Sequence, residues 1–303
     1  MREPGERRRT ISCTVVIPVR NRRKQIGRAV ESVLAQSFLD FELIVVDDGS
    51  TDGTAHEVSR RSDPRLRVTS LPPSGPGAAR NVGLAQARSS WTAFLDSDDE
   101  WHKSFLEKTL AVARACPEVG AVFSNIFSAG KGRPLLVFPS SEAGVLDNYL
   151  AFAVANEGRG MTCSSTLVST AALRRAGGFP EDVKRSEDID AWLRLAISSK
   201  IGAVPEVLAI YHDEGWGPSR PRPEPHYPRA VTTMRTLTAQ ERVPEPFKDL
   251  LPRLEALYLL AHARDMVYYG DRAGARRVLF QECSWRHCPP RLLLRALARM
   301  IAG

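Results

Sequence analysis

Short apolar, β-branched runs alternate with helix-period stripes through the first third of the 303-residue chain. That alternation constrains the fold more than any other feature. Cys13–Val19, Phe41–Val46, Leu66–Leu71 and Trp91–Leu95 read as strands. Between them, Arg22–Gln36 places Ile26, Ala29, Val30, Val33 and Leu34 on one helix face, and Thr54–Arg61 and Gly77–Arg88 read as further helices. A helix at Ser104–Ala115 and a strand at Ala121–Ser124 continue the series. The pattern is that of an α/β protein whose mainly parallel sheet is covered by helices on both faces.

Downstream the pattern loosens. Gly130–Leu146 reads as a loop or hairpin, Asn148–Asn156 as a helix, Met161–Val168 as a strand, and Thr170–Ala176 as a short helix ended by Gly177-Gly178. Asp188–Ser198 carries a helical stripe through Ile189, Trp192, Leu193, Leu195 and Ala196, followed by short strands at Ile201–Val204 and Val207–Tyr211. A stretch rich in Pro, Gly, Ser and Arg then marks a boundary. The expected organisation is a disordered basic tail over 1–11, an α/β domain over 12–215, a linker over 216–228 and an all-helical extension over 229–303. Within the extension, Pro252–Tyr269 and Asp271–Glu282 form a helical hairpin turning at Gly270. Pro290–Ile301 is an amphipathic helix, read as docked on the domain in preference to lying on a membrane.

Three acidic clusters stand at strand or helix ends, where ligands of open α/β sheets bind. Asp47-Asp48 opens the run Asp-Asp-Gly-Ser-Thr-Asp-Gly-Thr after the second strand. Asp96-Ser97-Asp98-Asp99 follows the fourth. Glu187-Asp188 opens the Trp192-Leu193 helix. Carboxylates packed this tightly raise one another's pKa unless something cationic sits among them. The Asp96–Asp99 cluster therefore suggests a divalent cation of the Mg²⁺ or Mn²⁺ kind, against the plainer reading of a capped turn.

The formal charge of +7 and a pI near 9.4 suit anionic substrates, phosphates or a membrane surface. The basic residues are scattered and carry no nucleic-acid-binding signature, so nucleic acid is not an expected partner. Met1–Thr10 holds four arginines and no apolar segment, which is unlike a signal peptide. No apolar run approaches the ~18 residues of a membrane-spanning helix. Five cysteines, an odd and scattered set, fit a reducing compartment. Cys283, His287 and Cys288 lack the fourth ligand and the spacing of a zinc site.

Together these segments resemble the family 2 glycosyltransferases. The resemblance runs through Val15-Val16-Ile17-Pro18-Val19-Arg20-Asn21, Val46-Asp47-Asp48-Gly49-Ser50, Pro76-Gly77-Ala78-Ala79-Arg80-Asn81, Phe94-Leu95-Asp96-Ser97-Asp98-Asp99, Gly177-Gly178-Phe179 and Ser186-Glu187-Asp188-Ile189-Asp190-Ala191-Trp192. It covers roughly residues 12–215. It implies a GT-A fold with a Rossmann-like nucleotide-binding half. It also implies an inverting enzyme that moves a sugar from a nucleotide donor, most often a UDP-sugar, to a glycan or lipid-linked acceptor.

By that resemblance Pro18, Val19 and Arg20 line the base, Asp47 or Asp48 accepts from base or ribose, and Arg80 meets base or diphosphate. Asp96-Ser97-Asp98 is similar to the family's DxD motif, with Asp96 on ribose and Asp98 on a Mn²⁺ or Mg²⁺ ion. Asp99 either assists there or only caps the next helix. Asp188 matches the catalytic base, Glu187 orients it or shapes the sugar site, and Asp190 falls on another helix face. His212 falls where relatives carry a metal- or phosphate-contacting histidine. The expected setting is cytoplasmic, with peripheral contact at the inner face of the membrane.

Two other readings compete: a sugar nucleotidyltransferase and a non-catalytic nucleotide-sugar-binding module. The module would show loss of Asp98 or Asp188, and both are present. A nicotinamide-dependent oxidoreductase needs G-x-G-x-x-G after the first strand, where this chain has Pro-Val-Arg-Asn.

Overall fold

Val15 and Ile17 turn to one face of the first strand and Val16 to the other, and all three are fully buried. Both faces of the sheet are therefore covered, as unbroken apolar strands require. The computed structural model describes residues 11–212 and 228–301. The tail and linker expected from the sequence lie outside the described residues, except at positions 11 and 228.

The chain runs β1 (Cys13–Val19), α1 (Ile26–Leu34), β2 (Phe41–Asp48), α2 (Thr54–Ser59), β3 (Leu66–Leu71), α3 (Pro76–Gln86), β4 (Trp91–Phe94), β5 (Glu100–Trp101), α4 (Phe105–Ala115) and β6 (Val119–Ser128). It continues through β7 (Arg133–Pro134), β8 (Gly144–Val145), α5 (Tyr149–Ala155), β9 (Thr166–Ser169), α6 (Thr170–Arg175), α7 (Glu187–Ser198) and β10 (Lys200–Tyr211). Helices α8 (Arg229–Ala239), α9 (Leu251–Tyr268), α10 (Arg272–Arg277) and α11 (Pro290–Ile301) follow.

One sheet orders its strands β3-β2-β1-β4-β9-β6-β10-β5, with β7 beside β6 and β8 beside β10. Neighbours among β3, β2, β1 and β4 pair in parallel, as does β10 with β6. Strand β9 runs antiparallel between β4 and β6.

Two expectations need correction. The strand expected over Met161–Val168 is a 3-10 turn at Cys163–Ser165 followed by the short β9. Thr162 and Ser165 cap that turn reciprocally, which satisfies a polar stretch locally instead of through the ladder. The two strands expected around Val204 and Val207 are one strand, β10, whose register slips on either side of Val207. Pro205 lacks the N–H that an unbroken ladder needs, so the strand bulges and continues.

Register places the acidic clusters. Val19 pairs with Asp47 across β1 and β2, and Val16 pairs with Phe94 across β1 and β4. The chain after Phe94 and the end of β2 therefore emerge on either side of Pro18–Arg20.

The C-terminal helices are part of the same core. One face of the sheet packs Val16, Ile44 and Phe94 with Trp192 of α7, and this cluster continues into Met234 of α8 and Leu254 and Leu259 of α9. Helix α11 buries Ala296 and Met300 in it. The opposite face packs Val15, Ile17 and Leu43 against α1 and α4. No helix among the described residues is long and apolar enough to cross a membrane.

Candidate active site

At the end of β2, Asp48 is buried and accepts from two successive backbone amides, Ser74 at 2.6 Å and Gly75 at 3.0 Å. It thereby fixes the Pro72–Gly75 loop that leads into α3. Gly49 makes the approach possible: it stands at φ +69°, and a Cβ there would lie 2.6 Å from the Pro73 ring. Asp47, also buried, accepts from the Ser50 amide at 3.2 Å. Arg20, exposed at the end of β1, reaches Asp48 Oδ2 at 3.9 Å. Beyond it Asn21 adopts φ +51° and accepts from the Thr51 amide at 2.9 Å, stitching the β1 and β2 ends together.

Helix α3 brings Arg80 to the centre of the site. A Cβ at Gly77 would fall on the Pro180 carbonyl, so the helix start seats closely on the segment before α7. Arg80 is 5% exposed. Its Nη2 donates to Asp96 Oδ1 at 2.7 Å and its Nη1 donates to Glu187. One guanidinium thus joins two of the three acidic clusters. Burial opposes its charge, yet the carboxylates of Asp96, Glu187 and Asp188 hold its pKa well above the ordinary value. Burial pushes the Cys163 thiol well up, so that cysteine is no nucleophile.

Asp188 stands on the first turn of α7, with Oδ1 accepting from the Ile189 amide at 2.9 Å. Burial, then the negative charge of Glu187, push its carboxyl up to about 7 against the pull of Arg80. Asp190 faces elsewhere, as its helical position implies, and accepts from Arg194 at 2.8 Å.

In the Asp96–Asp99 turn the four residues separate. Asp96 faces Arg80, and Ser97 is buried. Asp98 faces Arg22 Nη2 at 3.6 Å, while Arg28 donates to its carbonyl oxygen. Burial and then Asp96 raise the Asp98 pKa. Asp99 corrects the sequence reading: it caps no helix, since α4 begins after Ser104. It is 1% exposed and accepts from the Ser164 hydroxyl through Oδ2 and from the His212 amide through Oδ1. Burial, then Asp96, raise its pKa well above the ordinary value. Asp99 therefore locks the turn to the 3-10 turn before β9 and to the end of β10.

His212 is brought near this turn through its main chain, and its ring lies 3.2 Å from Glu100 Oε1. Among the described residues, no three His, Cys, Asp or Glu side chains gather as a ready metal cage. A Mg²⁺-type ion needs none, because it takes one or two carboxylates and completes its shell with phosphate oxygens and water. The donor set at Asp98 fits that requirement: a carboxylate beside the negative charge of Asp96, with the Arg22 guanidinium no nearer than 3.6 Å.

The fold defines a class: the chain has the GT-A fold, with acidic clusters at the carboxyl ends of β2 and β4 and at the start of α7. Mannosyltransferase PcManGT from Pyrobaculum calidifontis, solved with GDP-Man and Mn²⁺, superposes with a TM-score of 0.62 at 21% identity, covering 97% of this chain and 81% of that one. TarS residues 1–349 from Staphylococcus aureus, solved with UDP-GlcNAc, superposes with a TM-score of 0.66 at 22% identity, covering 96% and 80%. In sequence, TarS, a poly(ribitol-phosphate) beta-N-acetylglucosaminyltransferase, is 31% identical over 184 residues, 58% of this chain and 30% of its own. An uncharacterized glycosyltransferase of Rickettsia felis is 31% identical over 200 residues, 65% of this chain and 32% of that protein. Residues 14–160 match the model of glycosyl transferase family 2, and this part of the chain belongs to that family. The chain spans roughly a third of the length of the first curated relatives it matches.

Proposed function

We propose that the chain transfers a sugar, with inversion, from a nucleoside-diphosphate donor to the hydroxyl of a glycan or lipid-linked acceptor. Residues 12–215 form the transferase unit, and the helices over 229–303 complete it. The observation that carries this reading is the Arg80 bridge between Asp96 and Glu187, which sets Asp188 beside the DxD-like turn with a pKa near 7. A carboxylate titrating there is matched to taking a proton from a hydroxyl at neutral pH.

In the reaction the acceptor oxygen attacks the anomeric carbon from the face opposite the diphosphate. The carbon–oxygen bond to the diphosphate breaks with its electron pair, and the acceptor proton passes to Asp188. Pro18, Val19 and Arg20 line the base. Asp47 accepts from base or ribose, while Asp48 acts through the loop it fixes. Asp96, with Ser97 behind it, meets the ribose side, and Glu187 shapes the sugar site. Asp98 would hold Mn²⁺ or Mg²⁺, with His212 nearby. Such an ion, when bound, offsets charge on the leaving nucleoside diphosphate. The nucleotide sugars in the TarS and PcManGT structures support a donor of this class, and the Mn²⁺ beside GDP-Man supports the ion.

The test is nucleoside-diphosphate release from UDP-, GDP- and dTDP-sugars with Mn²⁺, with and without candidate acceptors. Release from one donor series that stops on chelation is the expected result. Donor binding with no release under any condition would instead favour a non-catalytic binding module.

A further inference from the structure

The segment that carries Glu187 and Asp188 is tied to the C-terminal helices at three points. Ahead of it, Asp182 Oδ2 accepts from Arg229 Nη1 of α8 at 2.7 Å. Next to it, Arg185 Nη2 donates to Asp265 Oδ2 of α9 at 3.0 Å, with the guanidinium 6.0 Å from the Tyr269 ring centre. Behind it, Asp190 Oδ1 accepts from Thr233 Oγ1 of α8. Between the second and third ties stands Ser186 at φ +60°, in the left-handed region that residues other than glycine seldom adopt. Its side chain makes no capping bond to α7. Backbone of this kind persists where the surroundings over-determine it, and here they do so through the C-terminal helices.

The three ties are not equal. Asp182 and Arg229 are well exposed, and such pairs contribute little. Thr233 meets a carboxylate that Arg194 already holds. Arg185 and Asp265 are mostly shielded, with side chains 13% and 21% exposed, and they join elements far apart in sequence directly beside Ser186.

We propose that Asp265 is a positioning residue for sugar transfer: through Arg185 it fixes the turn at Ser186 and so the direction in which Asp188 presents its carboxylate. The C-terminal helices are then a working part of the active site, although they supply none of the acidic clusters. This inference rests on the proposed function for the role of Asp188, but the geometry it describes can be tested without it.

The experiment compares the full-length chain with Asp265→Ala, Asp265→Asn and the exchanged pair Arg185→Asp with Asp265→Arg. Amide hydrogen exchange over residues 183–190 is expected to be about tenfold faster in Asp265→Ala, and to return to within about twofold of wild type in the exchanged pair. With the sugar nucleotide that supports release, kcat is expected to fall about tenfold with at most about a twofold change in KM for the donor, because the base, ribose and diphosphate contacts lie on strand ends and only Glu187 of this segment meets the sugar. Unchanged exchange overturns the proposal. So does faster exchange with unchanged kcat, which leaves Asp265 a structural role only. Asp188→Asn, run alongside, separates the two readings. Wild-type turnover in that variant contradicts the base assignment, whatever Asp265 does. An Asp188→Asn that has lost turnover, beside an Asp265→Ala with wild-type exchange and kcat, contradicts only the positioning role.

Discussion

Arg80 donates to Asp96 Oδ1 at 2.7 Å from a position 16 residues earlier in the chain, and its other terminal nitrogen is committed to Glu187. The first acid of the DxD-like turn and the acid preceding Asp188 are thus held by one buried fork. Lysine carries a point charge and cannot span both. Arg80→Met leaves Glu187 buried without its cation, which costs about 3–5 kcal/mol for a pair broken from one side. Arg80→Lys is expected to lose part of this. Urea denaturation midpoints measure both, and an unchanged midpoint in Arg80→Met would show that the fork is not structural.

Asp99 predicts a contrast between two substitutions. Asp99→Ala orphans the Ser164 hydroxyl and the His212 amide, at about 1–3 kcal/mol for each group left without a partner. Asp99→Asn keeps an acceptor oxygen, and its neutrality suits a site where burial already disfavours the charge. Thermal melting should therefore show Asp99→Asn well above Asp99→Ala. Equal losses would mean that the charge, and not the acceptor, is what the site uses.

Stability should depend on pH through Asp188. Its carboxyl titrates near 7 when folded, against an ordinary 3.8. Between those values the folded chain keeps a proton that the unfolded chain has released. Stability therefore falls as pH rises through that window and levels off above it for this group. Asp98 and Asp99, also raised, act with the same sign. Asp188→Asn removes one part of the slope, so its advantage over wild type in denaturant titrations should grow from pH 4 to pH 7 and then hold. An advantage independent of pH would contradict the raised value.

Asp98 should matter through the ion. A ligand that binds only the folded chain stabilises it by about 2.7 kcal/mol at a hundred times its dissociation constant. Melting of the wild type should rise when nucleotide and Mn²⁺ are added together, beyond the rise with nucleotide alone. Asp98→Ala should lose that increment and keep the nucleotide-only shift. A full increment in Asp98→Ala would move the ion elsewhere.

Much of the nucleotide-binding half was legible because its central strands, β1 and β2, are buried on both faces. Residues Cys13–Val19 announce themselves as an apolar, β-branched run and fold over those bounds, and the run expected over Phe41–Val46 is buried throughout and extends to Asp48. Residues that hold the site by distant contacts were not legible. Asp99 reads locally as a cap, and only the fold reveals partners 65 and 113 positions away. The Cys163–Ser165 turn was hidden because local capping leaves no periodicity to read. Asp265 stands in an ordinary helical stripe, and nothing in its neighbourhood of sequence points to Arg185.

The central claim is that Asp188 takes the acceptor's proton. The direct measurement is the rate of nucleoside-diphosphate release by Asp188→Asn against wild type at pH 8, with the donor that supports turnover, Mn²⁺ and acceptor, beside the donor dissociation constant of each protein. The account predicts a loss of about 10²–10⁴ in kcat, the range for removing a general base, with donor binding preserved. Turnover near the wild-type rate would contradict it.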